Sequence, residues 1–275
     1  MNYFDALVLG IVEGLTEFLP VSSTAHLTIA EKALGLDLAD EAVTGYTAVI
    51  QMGAIAALVV YFFRDIGRIA KAWFVGLVKP EYRGQLDHRM GWYIIVGTIP
   101  VGIAGLVFKD LITGPLRSLW VVAVALIAWS AVMWAAERVA RQDRFEKDLD
   151  MRDAVSVGLI QVAALVPGVS RSGATISGGL FRGLDRVTAT KLSFYLSIPA
   201  LVAAGIFELP DAMSGGIGVG VALFGIVVAF VVAYASIAWL LRFVAGHPIT
   251  WFIPYRVGLG LLLIVLLATG TMTAT

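Results

Sequence analysis

The stretch EGLTEFLPVSSTAH, residues 13–26, interrupts the first apolar segment of the chain with two glutamates, a proline, a run of hydroxyl residues and a histidine. A helix broken by Pro20 leaves backbone polar groups without partners. Lipid does not tolerate such groups, so the break must be buried in protein or line a wet cavity. The sequence therefore predicts a re-entrant hairpin over residues 3–30, in which a helix enters, turns at depth and returns.

The composition identifies the chain as an integral membrane protein. Of its 275 residues, 59% are hydrophobic and only 15% are charged, and a soluble domain of this length needs more polar surface than that. The 20 Lys and Arg residues balance the 20 Asp and Glu residues, so the net charge indicates no nucleic-acid partner. The chain has no cysteine, which excludes disulfides and thiolate metal sites.

Apolar stretches of sufficient length predict six transmembrane helices, because about 20 residues cross the hydrocarbon core. The predicted fold class is thus an all-α polytopic membrane protein. A second apolar segment, residues 153–181, is cut by Pro167 and Gly168 and contains Arg171, so we predict a second re-entrant hairpin there. The six predicted spans are residues 42–63, 90–108, 118–136, 192–207 (extended back over Lys191), 212–241 and 251–270.

Positive charge is concentrated in two predicted loops, residues 64–90 and 137–152. The positive-inside rule places both in the cytoplasm, whereas loop 208–211 has no Lys or Arg and falls outside. The first hairpin then enters from outside and the second from inside. The chain is predicted to form a single membrane domain built as an inverted repeat, with a hairpin and three spans in each half, about 1–138 and about 151–275.

Several polar residues of the first hairpin are candidates for chemistry. Glu13 and Glu17 lie four residues apart, which puts both carboxylates on one helix face. A carboxylate pair at membrane depth can share a proton, bind a divalent cation or act as acid and base, although an interfacial helix with both acids in water is the alternative. Ser23 and His26 are spaced i, i+3, as in a minimal activated nucleophile, but a hydroxyl after Pro20 is also a common helix cap.

The second break reads PGVSRSGATISGG, residues 167–179. Free N–H groups at the start of the following helix bind anions, and Arg171 adds a planar fork suited to phosphate oxygens. A structural ion pair between Arg171 and a glutamate of the first hairpin is the alternative. Thr175 can donate to an anion or to its own backbone, and Gln51 in the first span is more often an interhelical hydrogen bond than a ligand.

The two quoted motifs resemble the signature motifs of the undecaprenyl-diphosphate phosphatases of the bacitracin-resistance type, and the resemblance extends along essentially the whole chain. It implies a bacterial inner-membrane enzyme that removes the terminal phosphate from undecaprenyl diphosphate, recycles the lipid carrier of peptidoglycan and other envelope glycans, and confers bacitracin resistance. It also implies six spans with re-entrant hairpins in an inverted repeat, an active site towards the periplasm, and a divalent cation such as Mg²⁺ or Ca²⁺. Ala25 stands where the first motif often has glycine.

On this interpretation Ser23 attacks the terminal phosphate, His26 takes or relays its proton and Arg171 holds the phosphate. Glu13 and Glu17 position the cation as its metal ligands, or orient His26 and the hydrolytic water. Direct attack by water on the phosphate stays open as an alternative to the serine nucleophile. The further predicted substrate-binding residues are Ser22, Thr24, Gln51, Ser170, Ser172, Gly173 and Thr175.

The predicted partners are a polyprenyl diphosphate lipid and the bilayer, with no nucleic acid and with a homodimer as one candidate assembly. The prenyl tail accounts for affinity, because each buried CH₂ contributes about 0.8 kcal/mol. Broken helices that meet near the midplane also form the sites of secondary transporters. A lipid-phosphate flippase or a proton-coupled anion transporter is therefore the alternative function.

Overall fold

The computed structural model describes residues 1–37, 41–214 and 218–274. Within these ranges the regular structure is helical, apart from one isolated bridge between Arg144 and Leu184, so the predicted all-helical class is confirmed. The α-helices are α1 (Tyr3–Thr16), α2 (Ser23–Ala33), α3 (Glu41–Tyr61), α4 (Phe63–Val78), α5 (Leu86–Val107), α6 (Lys109–Thr113), α7 (Leu119–Val139), α8 (Met151–Gln161), α9 (Arg171–Phe181), α10 (Arg186–Ser214), α11 (Val219–Gly246) and α12 (Ile253–Ala268).

Five helical segments in the described part of the chain are long and apolar enough to cross a membrane. They belong to α5, α7, α10, α11 and α12. Helices α3 and α4 together form a sixth candidate only as a bent pair, because their axes differ by 74°. The structure thus contains five or six candidate spans, which agrees with a multi-pass membrane protein.

Two predicted loops are wrong in their secondary structure. Residues 64–90 contain helix α4, whose buried face carries Ile69, Ala72 and Gly76, because apolar residues recur at helical spacing among the basic ones. Residues 208–211 lie inside α10, and the next helix starts at Val219, so the predicted span 212–241 begins too early. Helix ends depend on backbone capping rather than on where an apolar run stops.

Both predicted breaks interrupt the helices where the sequence indicates. The first lies between α1 and α2, and the second lies between α8 and α9. Ser22 and Ser170 are the residues before α2 and α9, and both have φ of 76°. Non-glycine residues rarely adopt this conformation, so the two breaks share one unusual backbone geometry.

The first break is buried in protein. Phe18 is fully buried there, and its ring lies edge-on to Phe194 of α10 with 5.5 Å between centroids. The same apolar cluster contains Leu58 of α3, Met133 of α7 and Ile237 of α11. The surrounding helices therefore exclude lipid from the broken backbone, which is the condition under which such a break is tolerated.

Arg256 of α12 joins the two breaks. Its side chain is fully buried and donates to the carbonyl oxygen of Pro20 at 3.0 Å and to that of Gly168 at 2.9 Å. It also donates to the Val169 carbonyl at 3.1 Å and to Ser130 Oγ at 3.2 Å. Carbonyl groups at helix breaks have no intrahelical partner, and the guanidinium of Arg256 supplies donors to both breaks at once.

We expect Arg256→Met to destabilise the fold strongly. Each buried acceptor left without a donor costs about 1–3 kcal/mol, so the loss across the two breaks amounts to about 3 kcal/mol or more. Thermal unfolding of the purified protein in detergent measures the change. Arg242→Met, at an exposed position of α11, is the control and should leave the melting temperature nearly unchanged; equal melting temperatures for the two variants would contradict the role of Arg256.

Candidate active site

The two helix breaks face a common cavity of about 170 Å³. Most of the predicted site residues line it, so the two motifs lie together in the fold although about 150 residues separate them. Its wall contains Glu17, Ser22, Ser23, Thr24, Gln51, Ala164, Val166, Pro167, Gly168, Ser170, Arg171 and Leu201.

Glu17 is the centre of the polar network in this cavity. Its Oε2 accepts a hydrogen bond from Ser23 Oγ at 2.5 Å, and its Oε1 accepts one from Arg171 Nη2 at 2.7 Å. Ser23 and Arg171 are the first residues of α2 and α9. The two helices that restart after the breaks therefore direct a hydroxyl and a guanidinium to the same buried carboxylate.

Two buried polar atoms near this network have no hydrogen-bond partner among the described residues. One is Nη1 of Arg171, whose other terminal nitrogen contacts Glu17, and the second is Oε1 of Glu13. A buried donor or acceptor without a partner is costly. An anion that contacts Arg171 Nη1 and a cation or proton on Glu13 would each remove this cost.

A divalent cation fits this site only if very few of its ligands come from protein side chains. The described residues contain no group of three or more His, Cys, Asp or Glu side chains able to hold a metal. Both Glu17 oxygens are already engaged, so Glu13 is the carboxylate with an oxygen to offer. Mg²⁺ sites with one or two carboxylates and substrate phosphates as the remaining ligands are common, and the residues present fit that type.

His26 is placed differently from the sequence-based expectation. The i, i+3 spacing predicts a contact with Ser23, but the hydroxyl of Ser23 contacts Glu17 instead. His26 Nδ1 lies 2.7 Å from the Ser22 carbonyl oxygen, and Nε2 lies 2.6 Å from the Tyr255 hydroxyl. A carbonyl only accepts, so Nδ1 carries the proton and Nε2 of the neutral ring accepts from the Tyr255 hydroxyl.

Three predicted substrate-binding residues of the second motif are absent from the cavity wall that the structure describes. Ser172 Oγ donates to the Leu19 carbonyl at 2.9 Å, which ties α9 to the first break. Thr175 Oγ1 lies 2.8 Å from the Arg171 carbonyl and 2.5 Å from Ser193 Oγ. Gly173 donates its backbone N–H to Ser170 Oγ at 3.2 Å. These contacts support the hairpin that carries Arg171.

Sequence reasoning missed Tyr255 and Arg256, which bring α12 to the site. Their stretch, WFIPYRVG at 251–258, belongs to the predicted span 251–270, in which Arg256 is the only charged residue. A lone charge inside an apolar span usually has a function, so this signal was available for Arg256. No spacing rule relates Tyr255 to His26, because 229 positions separate them.

Comparison with known proteins agrees with this architecture. The family model described as bacitracin resistance protein BacA matches residues 6–262. The protein named undecaprenyl-diphosphatase from Acidothermus cellulolyticus is 55% identical over 275 residues, covering both chains fully. Undecaprenyl-diphosphatase 1 from Frankia alni is 57% identical over 271 residues, or 98% of each chain. Since the match covers nearly the whole sequence, including both helix breaks, the chain belongs to the bacitracin resistance protein BacA family.

Proposed function

We propose that this protein hydrolyses undecaprenyl diphosphate to undecaprenyl phosphate and inorganic phosphate in the cavity between the two breaks. The observation that carries the proposal is the convergence of Ser23 and Arg171 on Glu17. A hydroxyl, a carboxylate that accepts its hydrogen bond and a guanidinium form the nucleophile, base and anion clamp of a phosphoryl transfer. The names of the relatives supply the identity of the lipid substrate.

In the first step Ser23 Oγ attacks the terminal phosphorus, and its proton passes to Glu17. A bond forms between Ser23 Oγ and phosphorus while the bond from phosphorus to the bridging oxygen breaks, and undecaprenyl phosphate leaves with the electron pair. In the second step water attacks the phosphorus of the phosphoserine, and the bond from phosphorus to Ser23 Oγ breaks. Ser23 Oγ takes back the proton from Glu17, and inorganic phosphate leaves with the oxygen and the protons of the water. The 2.5 Å contact supports Glu17 rather than the predicted His26 as the group that takes the proton.

Arg171 binds the terminal phosphate in this mechanism. Its Nη1 is buried and has no partner among the described residues, so it is available to an oxygen of the phosphate. A guanidinium presents parallel N–H donors, which match two phosphate oxygens better than an ammonium does. Glu13 would hold a divalent cation, whose chemistry when bound is to neutralise charge on the diphosphate.

The membrane arrangement that fits this function is an inverted repeat with two re-entrant hairpins. The equal φ values of Ser22 and Ser170 support it, because each serine precedes the returning helix of its own hairpin. The C-terminal residues lie beside the ends of the first hairpin and of α7, since Leu119 N–H donates to the Ala274 carbonyl and Lys32 Nζ donates to the Thr273 carbonyl. We assign this side to the periplasm of a bacterial inner membrane, and segment 137–152, which contains five Lys and Arg residues, to the cytoplasm.

Cysteine labelling tests this orientation on a chain that has no cysteine of its own. We expect cysteines at Glu81 and Lys147 to react only with reagent in the cytoplasm. Cysteines at Asp110 and Thr271 should react with an impermeant reagent in the periplasm. All four positions are exposed, so access does not limit the measurement. Labelling of all four from one side would contradict the inverted repeat.

Ser23→Ala should lower phosphate release from undecaprenyl diphosphate by at least about 1,000-fold, because it removes the nucleophile. Glu17→Gln should lose a similar factor, and the double variant should be no worse than either single variant, since the two residues act as a unit. Acid quench with labelled substrate should trap phosphoserine at residue 23 in the unmodified enzyme. Assays in detergent also separate hydrolysis from transport, because no second compartment exists.

Thr28→Ala is the matched control for Ser23→Ala. Thr28 belongs to the same helix, and its hydroxyl donates to the Thr24 carbonyl rather than to the cavity. Its rate should stay within about twofold of the original enzyme, since surface substitutions away from a site have small effects. If the Ser23→Ala enzyme keeps a tenth or more of the original rate, Ser23 is not the nucleophile and water attacks the phosphate directly.

Tyr255→Phe tests whether Tyr255 acts through His26. Loss of one hydrogen bond, worth about 0.5–1.5 kcal/mol, should lower kcat by about 2- to 12-fold with little change in KM. In a His26→Ala background the same substitution should have no further effect, because the partner is already absent. Tyr234→Phe, an exposed tyrosine of α11, is the control; an equal loss of kcat with and without His26 would show that Tyr255 acts independently.

A further inference from the structure

A second cavity, of about 300 Å³, lies at the other end of α9 from the candidate active site. Helix α9 begins at Arg171 and ends at Phe181, so about 15 Å of helix separates the two cavities. The cavity is lined by Val139, Arg141, Arg144, Phe181, Arg182 and Gly183. Three of these residues are arginines, and the lining that the structure describes contains no Asp or Glu.

Two of the arginines are held in place by one buried carboxylate. Arg144 donates to Asp153 Oδ1 at 2.8 Å and to Oδ2 at 2.7 Å, and Arg182 Nε donates to Oδ1 at 2.8 Å. The side chain of Asp153 is 0% exposed. The hydrogen bond to Asp153 raises the pKa of the Arg144 guanidinium above its ordinary value. Arg144 also lies 3.7 Å from the exposed carboxylate of Asp150. Asp153 therefore fixes two guanidinium groups of the cavity wall.

The backbone around this cavity is also fixed. The isolated bridge between Arg144 and Leu184 joins the segment after α7 to the turn after α9. Arg144 N–H donates to the Gly183 carbonyl at 3.2 Å, and Asp185 N–H donates to the Arg144 carbonyl at 2.9 Å. Gly183 has φ of 78°, which favours glycine. The guanidinium groups are thus positioned before a ligand arrives, which lowers the entropy cost of binding.

Of the three arginines that line the cavity, Arg141 has the weakest contacts with the rest of the protein. Its side chain is 77% exposed, and its Nε lies 3.8 Å from Asp143, itself an exposed residue. An exposed ion pair at this distance contributes little free energy. Arg141 can therefore turn towards an anion at little cost to fold stability, whereas loss of Arg144 or of Arg182 removes one of the two partners of the buried Asp153.

Apolar side chains surround the opening of the cavity. Val139 and Phe181 of its wall are exposed, and Phe145 is exposed on the adjoining segment. Trp134, one turn earlier on α7, is exposed with the Arg138 guanidinium 5.5 Å from its ring centroid. Tryptophan and basic residues at a helix end are typical of the membrane–water interface, so the cavity opens at headgroup level with apolar surface beside it.

We propose that the Arg141–Arg144–Arg182 cavity binds the phosphate of an anionic phospholipid whose acyl chains lie against Val139 and Phe181. Basic pockets between membrane helices are a known way to hold anionic headgroups. Inorganic phosphate offers the same anion, but it would make no use of the exposed apolar rim. The site is separate from the diphosphate cavity and takes no part in the proposed hydrolysis.

Native mass spectrometry of the full-length protein in detergent tests the proposal, with phosphatidylglycerol as the probe and phosphatidylcholine as the neutral lipid. The unmodified protein should retain phosphatidylglycerol in preference to phosphatidylcholine. Arg141→Gln should weaken phosphatidylglycerol binding about fivefold, because one basic residue near the surface contributes about 1 kcal/mol. Its phosphatase turnover in detergent should be unchanged, which separates this outcome from any failure of the proposed reaction.

Arg138→Gln is the matched control, because it removes the same charge three residues away on a side chain outside the cavity wall. It should leave phosphatidylglycerol binding within about twofold of the original. Equal losses of phosphatidylglycerol binding in the two variants would show that only the general surface charge matters. That result would contradict a specific lipid site in this cavity. Displacement of phosphatidylglycerol by inorganic phosphate at equal concentration would also overturn the assignment to a lipid, because the apolar rim would then contribute nothing.

Discussion

The bond pattern of Arg256 is the constraint on which the rest of the site depends. Two helices break inside apolar surroundings, and each break leaves carbonyl groups that lipid cannot satisfy. One buried guanidinium donates to the Pro20 carbonyl of the first break and to the Gly168 and Val169 carbonyls of the second. One side chain thus supplies donors to both breaks, and the same bonds hold the two breaks next to each other.

That proximity explains how two halves of a site, far apart in sequence, act on one group. Ser22 and Ser170 both have φ of 76°, so the backbone enters the two returning helices in a similar conformation, although only Ser170 also caps its helix with its side chain. The first residue of one is Ser23 and the first residue of the other is Arg171, and both contact Glu17. Glu17 and Ser23 lie at the first break and Arg171 follows the second, so a shift between the two breaks would separate the guanidinium from Glu17.

The sequence predicts the features that depend on local pattern. Charges and prolines inside apolar segments indicate both breaks, and the motif residues Glu17, Ser23 and Arg171 line one cavity in the structure. The sequence does not predict helix α4 because its Lys and Arg residues indicate a loop, although apolar residues recur among them at helical spacing. The partner of His26 was also missed, since Tyr255 reaches it only through tertiary packing. Spacing tells which side chains share a helix face, but it does not tell which distant helix faces them.

The ion pair between Arg171 and Glu17 explains how a charged network is buried between the helix breaks. A carboxylate without a partner is costly away from water, and the guanidinium supplies that partner through Nη2, which donates to Oε1 of Glu17 at 2.7 Å. The other carboxylate oxygen accepts from the hydroxyl of Ser23. Nη1 of Arg171 has no partner among the described residues, so one guanidinium can hold Glu17 and still offer a donor to an anion. In the proposed reaction the phosphate would therefore be bound without breaking the ion pair that positions the base.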